Sequence, residues 1–281
     1  MDGIVLINKE KGITSRDVVN KISKKLNIKK VGHAGTLDPI ATGLLVIGIG
    51  KGTKILDLLT VDNKEYIAVV KMGIQTDTLD ITGTILEELD EFYITKEDID
   101  NTLKKFIGSY EQTIPKYSAL KINGKRLYEY ARNNEEVELP KRKVTIFDIT
   151  LLDIDLENKE FKFKVLVSKG TYIRSLIDDI GKMLNIPMTM KDLVRTKCGR
   201  FKLEDSNLIS DDYNYISLND SLNFKNIKVI DEIMLKKIKN GNKLILENED
   251  SEFIKFVDKE NNLLAIYKKN NFYEFRSFKV F

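Results

Sequence analysis

Between Val31 and Lys54 the chain reads VGHAGTLDPIATGLLVIGIGKGTK, a glycine-rich turn carrying one histidine and one Asp-Pro pair that runs directly into an apolar segment. Gly32, Gly35 and Gly43 permit backbone conformations that a side chain resists, and Pro39 fixes its own φ while pushing Asp38 toward an extended conformation. Leu44, Leu45, Val46, Ile47 and Ile49 follow as a buried strand, which predicts a carboxylate at the tip of a stiff turn anchored in a core. Rigid support of that kind is what a catalytic side chain requires. On composition alone the stretch remains a structural turn, because Asp-Pro and clustered glycines are among the commonest turn signals.

Two ligand-loop readings of the same glycines fail. A phosphate loop needs Gly-Lys followed by Ser or Thr, whereas Lys51 is followed by Gly52 and Lys54 by Ile55. Gly48, Gly50 and Gly52 alternate without the third glycine of a dinucleotide fingerprint.

With 281 residues the chain can bury a substantial core and hold a large domain plus a small one. The formal net charge is only +3, so a nucleic-acid partner cannot be read from global charge, and any basic footprint must be local. A single cysteine, Cys198, excludes an intrachain disulfide and a cysteine zinc cage, and a single histidine, His33, excludes a multi-histidine metal site. A magnesium site built from carboxylates alone stays open. The N-terminal stretch is charged where a signal peptide would be apolar, and no apolar run approaches the ~18 residues of a membrane span. The expectation is a soluble, cytoplasmic protein.

Along the chain, Ile4–Ile7 reads as a strand, and Ser15 is the expected cap of a helix with Val18, Val19, Ile22 and Leu26 on one face. Lys64–Met72 alternates as a half-buried strand with Tyr66, Ala68 and Val70 on one side. Thr95 with Asp98 opens a capped helix ending before Gly108. Lys116–Arg132 interleaves Lys116, Lys121, Lys125, Arg126 and Arg132 with Tyr117, Tyr128 and Tyr130, a pattern that serves phosphates and stacked bases or, equally, a solvated amphipathic helix. Val144–Ile154 and Glu160–Ser168 form a hairpin around Asn158, and Gly170 and Thr171 lead into a helix carrying Ile173, Leu176, Ile177 and Ile180. Residues 204–224 have the polar composition of a connection. A short helix ending near Gly241 and strands at 244–246, 253–257, 263–267 and 272–281 close the chain. On side-chain statistics, Lys9 and Arg174 would be solvated, and Asp77 and Asp80 would be turn formers.

GHAGTLDPIATGLL closely resembles the catalytic motif of the TruB family, the tRNA pseudouridine-55 synthases. Other segments resemble family motifs in the family's order along nearly the whole chain: NKEKGITS, with Glu10 where the family has proline, the Lys-x-Tyr at Lys64–Tyr66, TDTLD, KYSALKINGKRLYEYAR, GTYIRSL and LVRTKCGRF. The resemblance implies an α+β fold: a mixed, mainly antiparallel sheet flanked by helices, the pseudouridine synthase fold, with a small β-rich PUA-like C-terminal domain. The corresponding division is 1–222, with an RNA-gripping insertion at about 117–143, and 223–281. It implies that Asp38 is the nucleophile, that Arg174 pairs with it, and that Tyr66 stacks on the target base and helps move its C5 proton. Tyr172 would line the uracil pocket, His33 would contact RNA at the pocket mouth, and Lys9, Asp77, Lys121 and Arg126 would contribute to substrate binding. No cofactor or metal is implied. The partner would be the T arm of tRNA, acted on by a monomer without guide RNA and without a membrane.

That chemistry suits the residues. Isomerising uridine breaks the bond from ribose C1′ to N1 and joins C5 to C1′, with neither redox nor phosphoryl transfer. An ionised carboxylate can serve without a partner base, by attack at C1′ or C6 or by abstraction at C2′. A bidentate arginine would orient it better than lysine could. The target base must leave its stack, at a cost of a few kcal/mol that stacking on an aromatic ring, worth ~1–3 kcal/mol, largely offsets. A non-catalytic RNA-binding or tRNA-folding protein on the same scaffold is the alternative, and a nucleotide-binding enzyme a weaker third.

Overall fold

A computed structural model describes residues 2–60, 63–133 and 135–281. The N-terminal half opens with β1 (Gly3–Lys9), α1 (Ser15–Leu26), β2 (Val31–His33), β3 (Thr42–Ile49) and a short α2 (Leu56–Thr60). β4 (Lys64–Met72) and the small hairpin β5 (Ile74–Thr76) and β6 (Ile85–Glu88) follow, then α3 (Lys96–Lys105) and β7 (Gly108–Thr113). A second hairpin, β8 (Lys121–Ile122) and β9 (Lys125–Arg126), leads into α4 (Leu127–Arg132). β10 (Lys141–Asp155), β11 (Glu160–Val167), α5 (Ile173–Leu184), β12 (Met188–Cys198) and β13 (Phe201–Lys202) complete the larger part.

The main path of its sheet runs β1-β3-β12-β4-β11-β10-β7, with β2 added to β3 and β13 to β12. Every pairing is antiparallel except β3 with β12, where Val194 faces Thr42 and Arg195 faces Gly43. β4 is buried at every second residue, as its alternation predicts, and Tyr66, Ala68, Val70 and Met72 pack with α3 and α5 residues such as Leu103, Leu176 and Ile180. β3 is instead buried along its whole length after Thr42. α1 packs Val18, Val19 and Ile22 against Leu45 and Ile47, while Leu44 and Val46 meet Val257, Leu263 and Ile266 of the C-terminal part. Covering on both faces is why an antiparallel strand here is uniformly apolar.

That C-terminal part is a five-stranded sheet, ordered β14-β16-β17-β18-β15, from β14 (Lys225–Lys228), β15 (Leu244–Ile245), β16 (Phe253–Val257), β17 (Leu263–Lys269) and β18 (Glu274–Val280), with α6 (Glu232–Lys239) against it. β14, too polar to read as a strand, pairs parallel with β16.

Three local expectations are corrected. α1 is capped by Thr14, whose hydroxyl accepts from the Asp17 amide in a capping box, and Ser15 lies inside the helix, buried. Lys116–Arg132 is not one amphipathic helix. Asn123 and Gly124, both at positive φ, turn β8 into β9, a hairpin signal outranking the apolar spacing, and only Leu127–Arg132 is helical. Residues 204–224 are also more than a free connection: the Asn8 amide donates to Asn207, Ile216 and Ile4 exchange backbone bonds, and Leu222 is buried.

Candidate active site

The Asp38 turn, between β2 and β3, is held from two sides. On one side Ser15 exchanges hydrogen bonds with the Leu37 backbone, at 2.9 Å from the amide and 3.2 Å to the carbonyl, and the Gly12 amide donates to the Pro39 carbonyl at 2.8 Å. Lys9 joins them. It is fully buried, against the solvated position its charge suggests, and its ammonium donates to the carbonyls of Ile13 at 2.8 Å, Glu10 at 2.9 Å and Pro39 at 3.4 Å. Burial lowers its pKa to about 8.

On the other side stands Arg195, 1% exposed and the largest fully buried side chain among the described residues. It donates from Nε to Leu44 O at 2.7 Å and from its terminal nitrogens to Thr36 O at 3.3 Å and Gly35 O at 3.4 Å. β3 can approach β12 here because Gly43, at φ +98°, has no side chain: a Cβ would lie 2.5 Å from Arg195 O. The turn that carries Asp38 is therefore tied to the loop after β1 and to the middle of the sheet.

Arg174, in the first turn of α5, meets Asp38 in a two-pronged pair, Nε to Oδ2 at 2.9 Å and Nη2 to Oδ1 at 3.2 Å. It too is buried, at 5% exposed, contrary to the solvated expectation, while the Asp38 side chain keeps 39% of its surface. The remaining donors reach Thr78 O at 2.7 Å and Tyr117 O at 3.0 Å, and Asp80 lies 3.9 Å from Nη1. The guanidinium thus satisfies carboxylate and carbonyls together, leaving one carboxylate edge facing outward.

Asp38 opens onto a cavity of about 240 Å³, whose wall includes Lys64, Tyr66, Tyr172, Arg174 and Arg195. Tyr66 is buried, and burial raises its phenol pKa against the opposing charge of Arg195, so it stays protonated at neutral pH. Tyr172 precedes α5. Its backbone amide donates to Gln112 Oε1 at 2.8 Å and its carbonyl accepts from Gln112 Nε2 at 3.1 Å, so a buried glutamine on β7 sets the ring's position. A larger cleft of about 760 Å³, lined by Lys197, Arg200, Phe224 and Phe253 among others, contains neither Asp38 nor Arg174 and lacks their oriented carboxylate.

The structure brings together Asp38, Tyr66, Tyr172 and Arg174; the other residues singled out from sequence lie around them. Lys9 braces the turn from behind. His33, half-buried on β2, is not among the cavity-lining residues, and burial followed by the charges of Arg16 and Arg195 lowers its pKa. Asp77 spends its oxygens on the Thr84 amide at 2.8 Å and the Tyr117 hydroxyl at 3.1 Å, which ties the start of the basic segment to the turn beneath Arg174. Lys121 and Arg126 are exposed on the β8–β9 hairpin, where Arg126 and Arg132 stack over Tyr128 and Lys125 over Tyr130. Arg195, Lys64, Asp80, Arg142 and Lys169 were not singled out as site residues. For Arg195 a signal was present, since it shares the buried face of β12 with Leu193 at a spacing of two.

The TruB family pseudouridylate synthase N-terminal domain matches residues 23–173. A tRNA pseudouridine synthase B of Bacillus cytotoxicus is 42% identical over 95% of this chain and 92% of its own length, and one of Mycoplasma capricolum is 41% identical over 99% and 95%. Among solved structures, an H/ACA RNP bound to a substrate RNA containing 2′-deoxyuridine superposes with a TM-score of 0.71 at 23% identity, covering 99% of this chain and 84% of that one. A Cbf5-Nop10-Gar1 complex gives 0.71 at 24% over the same shares, and at these identities both speak for the fold alone. With a domain match over more than half of its length and relatives above 40% identical along nearly all of it, the chain belongs to the TruB family of pseudouridylate synthases.

Proposed function

We propose that the protein isomerises uridine to pseudouridine in the T loop of tRNA, at position 55, with Asp38 as nucleophile on a flipped-out base and without guide RNA. The pair of Asp38 with Arg174, one carboxylate edge open to a cavity walled by Tyr66 and Tyr172, is the observation that carries this reading. The relatives' name, tRNA pseudouridine synthase B, supports tRNA as the substrate. In the reaction the N1–C1′ bond breaks, the freed uracil turns, C5 joins C1′, the C5 proton leaves to solvent and N1 takes up a proton, so atoms balance without an external reagent. The ionised carboxylate serves each route open to it, attack at C1′ or C6 or removal of the C2′ proton. Arg174 holds it in line, and the rings of Tyr66 and Tyr172 replace the stacking that the extruded base gives up.

Lys121, Arg126 and their neighbours supply cations for backbone phosphates, and His33 borders the entry of the RNA. Residues 1–222 would form the catalytic domain and 223–281 a PUA-like RNA-binding module, in a cytoplasmic monomer. No helix of the described residues is long and apolar enough to cross a membrane.

Release of tritium from C5-labelled uridine in an unmodified tRNA transcript tests this directly. Wild type should release one equivalent per transcript unaided, and Asp38→Ala and Asp38→Asn none. Near-normal release by Asp38→Asn would remove the nucleophile assignment, and an inactive wild type that binds the transcript would favour a non-catalytic RNA-binding protein.

A further inference from the structure

Two cations on the wall of the Asp38 cavity have no role in holding it together. Arg142 on β10 and Lys169 in the turn after β11 both line it, and neither side chain has an ion-pair partner among the described residues. The other arginines of the cavity are committed, Arg174 to Asp38 and Arg195 to three carbonyls. Among the described residues, Asp38 is the only carboxylate lining the cavity.

Arg142 is also held in place. Its Cα partner across the β10–β7 ladder is Gln112, the residue that grips the Tyr172 backbone. The guanidinium lies against Gly170, where a Cβ would come 2.5 Å from Nη1 and 3.2 Å from Cδ. Gly170 stands at φ +82°, a conformation that favours glycine, so the turn leaves room for the arginine to lie across it. One strand pair therefore positions both the ring of Tyr172 and the fork of Arg142 on the same short segment.

We propose that Arg142 and Lys169 form a phosphodiester subsite that binds a backbone phosphate flanking the target uridine. This rests on the reading of the cavity as a uridine site. A guanidinium fork meets two phosphate oxygens at once and an ammonium adds a point charge. A flipped nucleotide rotates about its own backbone, so an adjoining phosphate gripped at the rim fixes where ribose C1′ sits relative to Asp38.

The test uses synthetic stem-loop RNAs carrying a single neutral methylphosphonate on the 5′ or the 3′ side of the target uridine, against wild type, Arg142→Gln and Lys169→Gln. On the natural RNA each variant should bind roughly 10- to 100-fold more weakly, the worth of a lost charge-assisted contact, and its dependence of log Kd on log salt should be shallower by about 0.7. On one of the two neutral linkages wild type should lose a similar factor and the variants nothing further. The position that shows this identifies the phosphate. The proposal is overturned if wild type binds both neutral RNAs as tightly as the natural one, or if variant and linkage losses simply add at both positions. Conversion of the natural RNA is followed separately: its absence in wild type would count against the proposed function, while the binding arms still decide the subsite.

Discussion

Arg174 reaches Asp38 through two hydrogen bonds, 2.9 Å from Nε and 3.2 Å from Nη2, while its other donors close the carbonyls of Thr78 and Tyr117. One guanidinium in the first turn of α5 therefore joins three separate loops. Arg174→Lys keeps the charge and loses the planar fork, so turnover should fall by about 10²- to 10³-fold, the scale of a lost transition-state donor, in a chain that still folds. Single-turnover tritium release together with a far-UV melting curve checks both halves; unaltered turnover would show that the two-pronged geometry is not needed.

Arg195 caps the carbonyls of Leu44, Thr36 and Gly35, and its charge acts on the Tyr66 phenol. Arg195→Met leaves those buried acceptors without donors and should cost about 3 kcal/mol in urea unfolding. Combined with Tyr66→Phe the losses should be less than additive, because the two side chains interact.

Gly43→Ala places a methyl 2.5 Å from the Arg195 carbonyl at a φ of +98°. We expect a loss of about 3 kcal/mol or more, since both the close strand approach and the backbone conformation resist a side chain. A midpoint in urea equal to wild type would mean that β3 and β12 can separate freely.

Lys9 has a folded pKa of about 8 against an ordinary value of 10.5. Between these values the unfolded chain binds more protons, so wild type should gain stability relative to Lys9→Met as pH rises from about 8 to 10.5. Paired thermal melts at pH 7.5 and 10 measure the change, and a difference that shrinks in wild type's disfavour would contradict the burial of its ammonium.

His33 is shifted the same way, its pKa held below 6.5 by burial and by Arg16 and Arg195. As pH falls from 7 toward 5 the unfolded chain takes up the proton first. Wild type should therefore lose stability relative to His33→Asn over that interval, which the same melts would detect.

Much of the architecture is legible locally. The alternation of Lys64–Met72 specifies a half-buried strand, the Thr95/Asp98 pair caps α3, and the apolar face of Ile173–Ile180 marks α5. The errors share a cause. Asn123-Gly124 is a turn signal inside a run that also fits a helix, and β14 is a polar strand that exists because β16 lies beside it. Nothing within Lys225–Lys228 encodes that neighbour.

By itself the sequence determined the stiff Asp38 turn, the strand that anchors it and, through motifs strung along most of the chain, family membership. The resemblance already implied that Arg174, 136 residues away, pairs with Asp38; only the tertiary structure decided that this arginine is buried in doing so, that Lys9 and Arg195 are interior braces, and that Asp77 holds Tyr117. The reason is physical. Local pattern reports which face of an element is apolar, whereas a buried cation is tolerable only where carbonyls or a carboxylate from distant segments converge on it, and that convergence exists only once the sheet has closed.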